Sequence, residues 1–191
     1  MSTAASRPVS EAGRSLGPVV VMGVCGCGKS TVGERLASYL GARFIEGDSL
    51  HSVENVEKMR SGIPLTDADR WPWLDAVGRR LADEGAVVVS CSALKRAYRE
   101  RLRVLAGRPI TFVFLQGTRA TLAARLSERS GHFMPSALLD SQFATLELPS
   151  GEADVVTIEI DQSLERIVAL AINTLAIRAD RAASEQTTGG N

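Results

Sequence analysis

Gly23, Gly26, Gly28, Lys29 and Ser30 stand at the spacing G-x-x-x-x-G-K-[ST], within Gly23-Val24-Cys25-Gly26-Cys27-Gly28-Lys29-Ser30. Between a strand and a helix this pattern is a phosphate-binding loop. Its glycines let backbone N–H groups curl round a polyphosphate, and the dipole of the following helix favours the same anion. The lysine suits the β- and γ-phosphate oxygens, and the serine hydroxyl suits Mg²⁺. These residue types point to ATP as the ligand of Gly23, Val24, Cys25, Gly26, Cys27, Gly28, Lys29, Ser30 and Thr31, with Ser30 the metal ligand.

Further groups that could do chemistry follow apolar runs downstream. Asp48, in Glu46-Gly47-Asp48-Ser49-Leu50-His51, could orient or deprotonate an attacking hydroxyl, or serve only as a turn or cap residue. His51 could hydrogen-bond a polar substrate or cap the next helix. Lys58 lies on that helix. Arg70 is a candidate carboxylate clamp, because a guanidinium bonds an acid bidentately; the competing expectation is an ion pair with Asp67 or Asp69. Ser92 sits among small residues that let a ligand approach the backbone, and Lys95 and Arg99 share a helical face beyond it. Arg125 and Arg129, one turn apart, are either a solvated basic face or lid arginines that close on the transferred phosphate. His132, in Gly131-His132-Phe133-Met134-Pro135, could reach substrate or phosphates. Gln142 and Glu147 carry the weakest signal.

Positioning these groups requires a parallel sheet. Five β-branched runs read as buried strands: Val19–Val24, Arg43–Glu46, Ala86–Cys91, Ile110–Leu115 and Val155–Ile160. Helical patterns alternate with them, among them Thr31–Leu40, Val53–Ser61, Asp69–Glu84, a helix from Thr118 to about Arg129, and Ser136–Leu146. The expectation is an α/β P-loop NTPase fold: a three-layer sandwich, with a five-stranded parallel sheet and helices on both faces. Residues 18–180 form the domain, with an inserted helical substrate lobe at 49–84 and a lid region at 118–148. Residues 1–17 and 181–191 read as flexible tails.

Composition narrows the function classes. Lys+Arg and Asp+Glu balance at 22 each in 191 residues, so no bulk basic field recruits nucleic acid or a membrane surface. The three cysteines suit neither a disulfide framework nor a zinc site, and reduced thiols imply a cytoplasmic protein. No secretory signal or membrane-spanning run is expected.

Several blocks together resemble gluconokinases of the small P-loop type. They are Gly23–Thr31, Glu46–His51, Lys58–Asp67, Asp69-Arg70-Trp71-Pro72-Trp73-Leu74, Cys91–Lys95 with Tyr98-Arg99, and Gly131–Pro135 running on to Ser141-Gln142-Phe143. The resemblance covers about residues 18–176 and implies kinship in fold with nucleoside monophosphate and shikimate kinases. It implies transfer of the ATP γ-phosphate to D-gluconate, with Mg²⁺, by a cytoplasmic homodimer. On that reading the catalytic residues are Lys29, Asp48, Arg125 and Arg129. The substrate-binding residues are Asp48, His51, Lys58, Arg70, Ser92, Arg99 and His132. The competing readings are a kinase of another small acid, such as shikimate, or of a nucleoside monophosphate, and a nucleotide-binding regulator without turnover.

Overall fold

Every side chain of Val19-Val20-Val21-Met22 is shut away from solvent, as a β-branched strand covered on both faces should be. This is β1, in a computed structural model that describes residues 17–127 and 136–188. The chain continues through α1 (Lys29–Leu40), β2 (Arg43–Glu46), a 3₁₀ turn (Gly47–Leu50), α2 (Val53–Arg60) and α3 (Asp67–Asp83). It then runs through β3 (Val87–Ser90), α4 (Arg96–Ala106), β4 (Thr111–Gln116), α5 (Arg119–Ser127), α6 (Ser136–Thr145), β5 (Val155–Glu159) and α7 (Leu164–Thr188). The strands pair in the order β2-β3-β1-β4-β5, all parallel. Consecutive residues of β1 face opposite layers. Val19 and Val21 pack with α1 and α7 residues such as Leu36 and Leu175. Val20 and Met22 pack with α3 and α4 residues such as Leu74 and Leu102. The sheet order turns back at β1, so the carboxyl ends of β1 and β3 open a crevice of the kind that holds ligands in such folds.

The expected α/β sandwich is therefore the observed one, with strand ends displaced by a residue or two. Helix α1 starts at Lys29 rather than Thr31 and thus takes the last loop residues into its first turn. Helix α3 starts at Asp67 rather than Asp69. Thr66 Oγ1 accepts the Asp69 N–H (3.3 Å) while Asp69 Oδ2 accepts the Thr66 N–H (2.9 Å), a reciprocal capping box that recruits the extra turn. Helix α7 runs to Thr188, where a tail was expected from residue 181.

Arg99 corrects a sequence expectation. It is 1% exposed, and every nitrogen of its guanidinium is engaged within the wall of the crevice. Nε donates to Glu152 (3.0 Å), Nη2 donates to the same carboxylate, and Nη1 donates to the carbonyls of Ala93 and Leu94 (3.1 Å each). Arg103 adds bonds to Glu152 and Asp154. Arg99 is thus a buried brace tying the β3–α4 loop to the segment before β5, bonded to Glu152 and shut away from the solvent a substrate would enter from.

The Arg99 hydrogen bonds, working against burial and helped by Arg103, hold the Glu152 carboxyl at about 2, below its usual 4.5. A carboxyl whose folded-state pKa is depressed stabilises the fold above its unfolded value and loses that contribution as pH falls towards the folded value. Glu152→Gln leaves Arg99 buried without its counter-charge and should cost about 3 kcal/mol at neutral pH. In urea unfolding the gap between wild type and variant should be full at neutral pH and narrow below 4.5. A gap independent of pH would refute the assignment.

Candidate functional site

The loop between β1 and α1 is shaped by positive-φ glycines, beginning with Gly23 (φ 140°), where a Cβ would lie 2.7 Å from the Leu115 carbonyl oxygen. The N–H groups of Gly26, Gly28, Ser30 and Thr31 meet no acceptor among the described residues, and that of Lys29 meets only the Cys27 thiol, a weak one. A run of unpaired amides at a helix N-terminus is a socket for a polyanion. Gly23 N–H donates to the Ser92 carbonyl (3.3 Å), which joins the loop to the end of β3. Lys29 Nζ donates to the Val24 carbonyl (3.3 Å). Burial pushes the Lys29 pKa down and its acidic neighbours push it up, with a net rise; at neutral pH the anion among them is Asp48.

Asp48 is exposed on the 3₁₀ turn after β2, and both sides of Gly47 fix that turn. Gly47 N–H donates to Ser90 Oγ (3.0 Å), and Ser90 Oγ in turn donates to the Glu46 carboxylate. Trp73 Nε1 donates to the Gly47 carbonyl (2.7 Å). A Cβ at residue 47 would stand 1.9 Å from the Ser90 carbonyl oxygen, so only glycine fits against β3. The field of Asp48 reaches Lys29, His51 and the thiols of Cys25 and Cys91, which puts the expected carboxylate opposite the loop lysine.

His51 stacks on Trp73, with ring centroids 4.2 Å apart and planes 14° from parallel. Asn55 Nδ2 donates to the Asp69 carbonyl (2.8 Å) and lies 3.3 Å from His51 Nδ1. With Nδ1 the acceptor of that contact, the imidazole proton sits on Nε2. Burial pushes the imidazole below its usual 6.5; Asp48 opposes the shift and Arg70 reinforces it.

Arg70 is 9% exposed, with its guanidinium carbon 5.7 Å above the Tyr98 ring. Among the described residues it has no hydrogen-bond or ion-pair partner. The acids expected to pair with it are spent elsewhere. Asp67 accepts from Lys95 Nζ (2.7 and 2.8 Å) and from the Tyr98 hydroxyl (2.5 Å). Asp69 accepts from Lys58 (2.6 Å) and from the Thr66 cap. Lys58, expected as a substrate ligand, is corrected with them: its ammonium braces α2 against α3, and its hydrogen bond, with those of Thr66, holds Asp69 at about 2.

Ser92 is half-buried at the crevice, beside Ala93, whose φ of 43° is the one positive value at a non-glycine among the described residues. Arg125, half-buried, donates Nη2 to the Ile160 carbonyl. With Gly26, Cys27, Gly28, Thr31, Val32, Leu164 and Ile167 it lines a cavity of about 290 Å³. Arg129 and His132 lie outside the described residues. Burial raises the Cys25 and Cys27 thiols, and Cys91 is pushed up to about 12, so the neutral thiols offer no nucleophile. Among the described residues no group of three or more His, Cys, Asp or Glu could hold a metal. The donor set nonetheless fits Mg²⁺, which is commonly held by a hydroxyl or carboxylate together with substrate phosphates and water; exposed Ser30 supplies the hydroxyl. Tyr98 and Asn55 are site residues to which sequence reasoning gave no role, and Gln142 is one to which it gave the weakest. The recurrence of Tyr98 and Gln142 in the matched blocks was the signal available for those two.

A family model described as an AAA domain matches residues 19–149. A gluconokinase of Gluconobacter oxydans is 51% identical over 144 residues, covering 73% of this chain and 80% of that protein. The thermosensitive gluconokinase of Escherichia coli is 41% identical, covering 87% and 92%. The crystal structure of a gluconokinase from Sinorhizobium meliloti superposes with a TM-score of 0.86 at 53% identity, covering 90% of this chain and 98% of that one. Shikimate kinase from Aquifex aeolicus, 19% identical with a TM-score of 0.56 over 85% of this chain and 98% of that one, shares the fold.

His51 should titrate below 6.5. Followed by NMR of its ring protons, Asp48→Asn should lower the midpoint further and Arg70→Met should raise it. A wild-type midpoint above 6.5 would contradict the buried, neutral ring.

Proposed function

The chain belongs to the gluconokinase family, and on that premise we propose that it transfers the γ-phosphoryl group of ATP to the C6 hydroxyl of D-gluconate, yielding 6-phospho-D-gluconate and ADP. The observation that carries the substrate assignment is Arg70. A buried guanidinium without a carboxylate bonded to it is costly; Arg70 feels Asp67 only at a distance, and the acids around it bond lysines and a tyrosine instead. A sugar-acid carboxylate supplies the missing charge.

The triphosphate lies along the amides of residues 26 and 28–31, and Lys29 leaves the Val24 carbonyl for the β,γ-oxygens. Ser30, with the phosphates, would hold Mg²⁺, which would supply charge neutralisation at the transferred group. Asp48 orients the C6 hydroxyl and accepts its proton, while His51 Nε2–H and the Ser92 hydroxyl bind sugar hydroxyls. Arg125, anchored on Ile160 beside an aliphatic cavity, holds the nucleotide. The same reading assigns Arg129 and His132 to a lid at 118–148 and the substrate to the lobe at 49–84. Transfer depends on positioning and charge stabilisation more than on covalent chemistry. The family resemblance supports a homodimer, and the three free cysteines agree with a cytoplasmic setting. No helix among the described residues is long and apolar enough to cross a membrane.

An ADP-release assay over sugar acids, shikimate and nucleoside monophosphates should respond to gluconate, and Lys29→Ala should abolish 6-phosphogluconate. Arg70→Ala should raise the gluconate KM at least about tenfold, the worth of a charge-assisted hydrogen bond, with the ATP KM little changed. Arg125→Ala should raise the ATP KM instead. Nucleotide binding without gluconate-dependent ADP release would favour a regulator.

A further inference from the structure

One peptide unit of the phosphate loop is held from both ends. The Val24 carbonyl accepts Lys29 Nζ at 3.3 Å and the Cys27 N–H at 3.3 Å. The N–H of the same peptide, that of Cys25, donates to Gln142 Oε1 at 2.7 Å. Gln142 is half-buried on α6 and lies 117 residues from Cys25 in sequence, so the contact is tertiary. Among the described residues it is also the one side-chain oxygen that accepts from an amide of residues 23–31, the Cys27 thiol facing the Lys29 N–H.

A peptide plane turns as a unit: fixing the direction of its N–H fixes that of its C=O. Glycines flank the unit one residue away on either side, Gly23 at φ 140° and Gly26 at φ 80°, so local sterics alone do not hold the plane. We infer that Gln142 is a positioning residue for phosphoryl transfer, acting through the Val24–Cys25 peptide to set the orientation from which Lys29 engages the phosphates. The carboxamide oxygen clamps the N–H, the clamped plane presents the Val24 carbonyl, and that carbonyl holds the ammonium beside the socket. Loss of the acceptor frees the plane to rotate and lets Lys29 settle elsewhere.

The clamp is a hydrogen bond, so the informative variant fills the space without accepting one. Gln142→Met and Gln142→Ala should be impaired alike, each weakening binding of a non-hydrolysable ATP analogue about tenfold, the effect of losing one well-made hydrogen bond. Melting temperatures near wild type would verify the fold. Because the effect runs through Lys29, Gln142→Met in a Lys29→Met background should change affinity by less than about twofold. The Cys25 amide proton should move upfield in both single variants. Gln142→Met behaving as wild type would assign Gln142 to packing and overturn the inference. An equal loss of affinity with and without Lys29 would overturn it too. The turnover arm rests on the proposed phosphorylation of gluconate: kcat should fall about tenfold, as for a misplaced catalytic group, with the gluconate KM unchanged. The nucleotide-binding arm needs no sugar acid, so wild type failing to phosphorylate gluconate would count against the proposed function and leave the clamp decided by the titrations.

Discussion

A folded protein pairs nearly all its backbone amides, and the segment after β1 must not. The N–H groups of Gly26, Gly28, Ser30 and Thr31 stay without acceptors among the described residues, at the carboxyl edge of a strand whose own residues are wholly buried. Unpaired amides persist only where the surrounding structure fixes the backbone and a ligand or water can reach them. Here the fixing is done from outside the loop: by the Leu115 carbonyl packed against Gly23, the Ser92 carbonyl that takes the Gly23 N–H, and Gln142 on Cys25. The sheet order brings the first two within reach, because β3 and β4 flank β1.

The same logic governs charge in the opposite wall. Glu152, Asp67 and Asp69 each satisfy cations of the scaffold, which stiffens the loops after β3 and before α3. Once those pairs form, Arg70 is left buried over Tyr98 with no carboxylate bonded to it, and Asp48 is left exposed opposite Lys29. Specificity for an acid thus comes from what the ion pairs leave over as much as from what they join.

The sequence displays the parts that depend on local pattern. The glycine spacing of the loop, the five strands and the placing of Asp48 after β2 follow from short-range rules, and the structure matches them to within a residue or two. Partners far apart in sequence are not readable in that way. Arg99 looks like any helical arginine until Glu152, 53 residues on, is brought beside it; Lys58 looks available until α3 swings Asp69 onto it. Gln142, one polar residue on a short helix, gives no periodic signal at all, since its role lies in which amide it meets. The early start of α3 was legible in Thr66 and Asp69, but two neighbouring acids suggested surface pairing more readily than a cap.

The brace between Arg99 and Glu152 also bears on how the molecule is born. A chain made from its N-terminus exposes the phosphate loop long before residue 152 leaves the ribosome. Until that carboxylate arrives, the carbonyls of Ala93 and Leu94 and the wall they belong to lack their tie. The anion socket waits in the same way on Ser92, Leu115 and Gln142, so both walls of the cleft are completed together, late in synthesis.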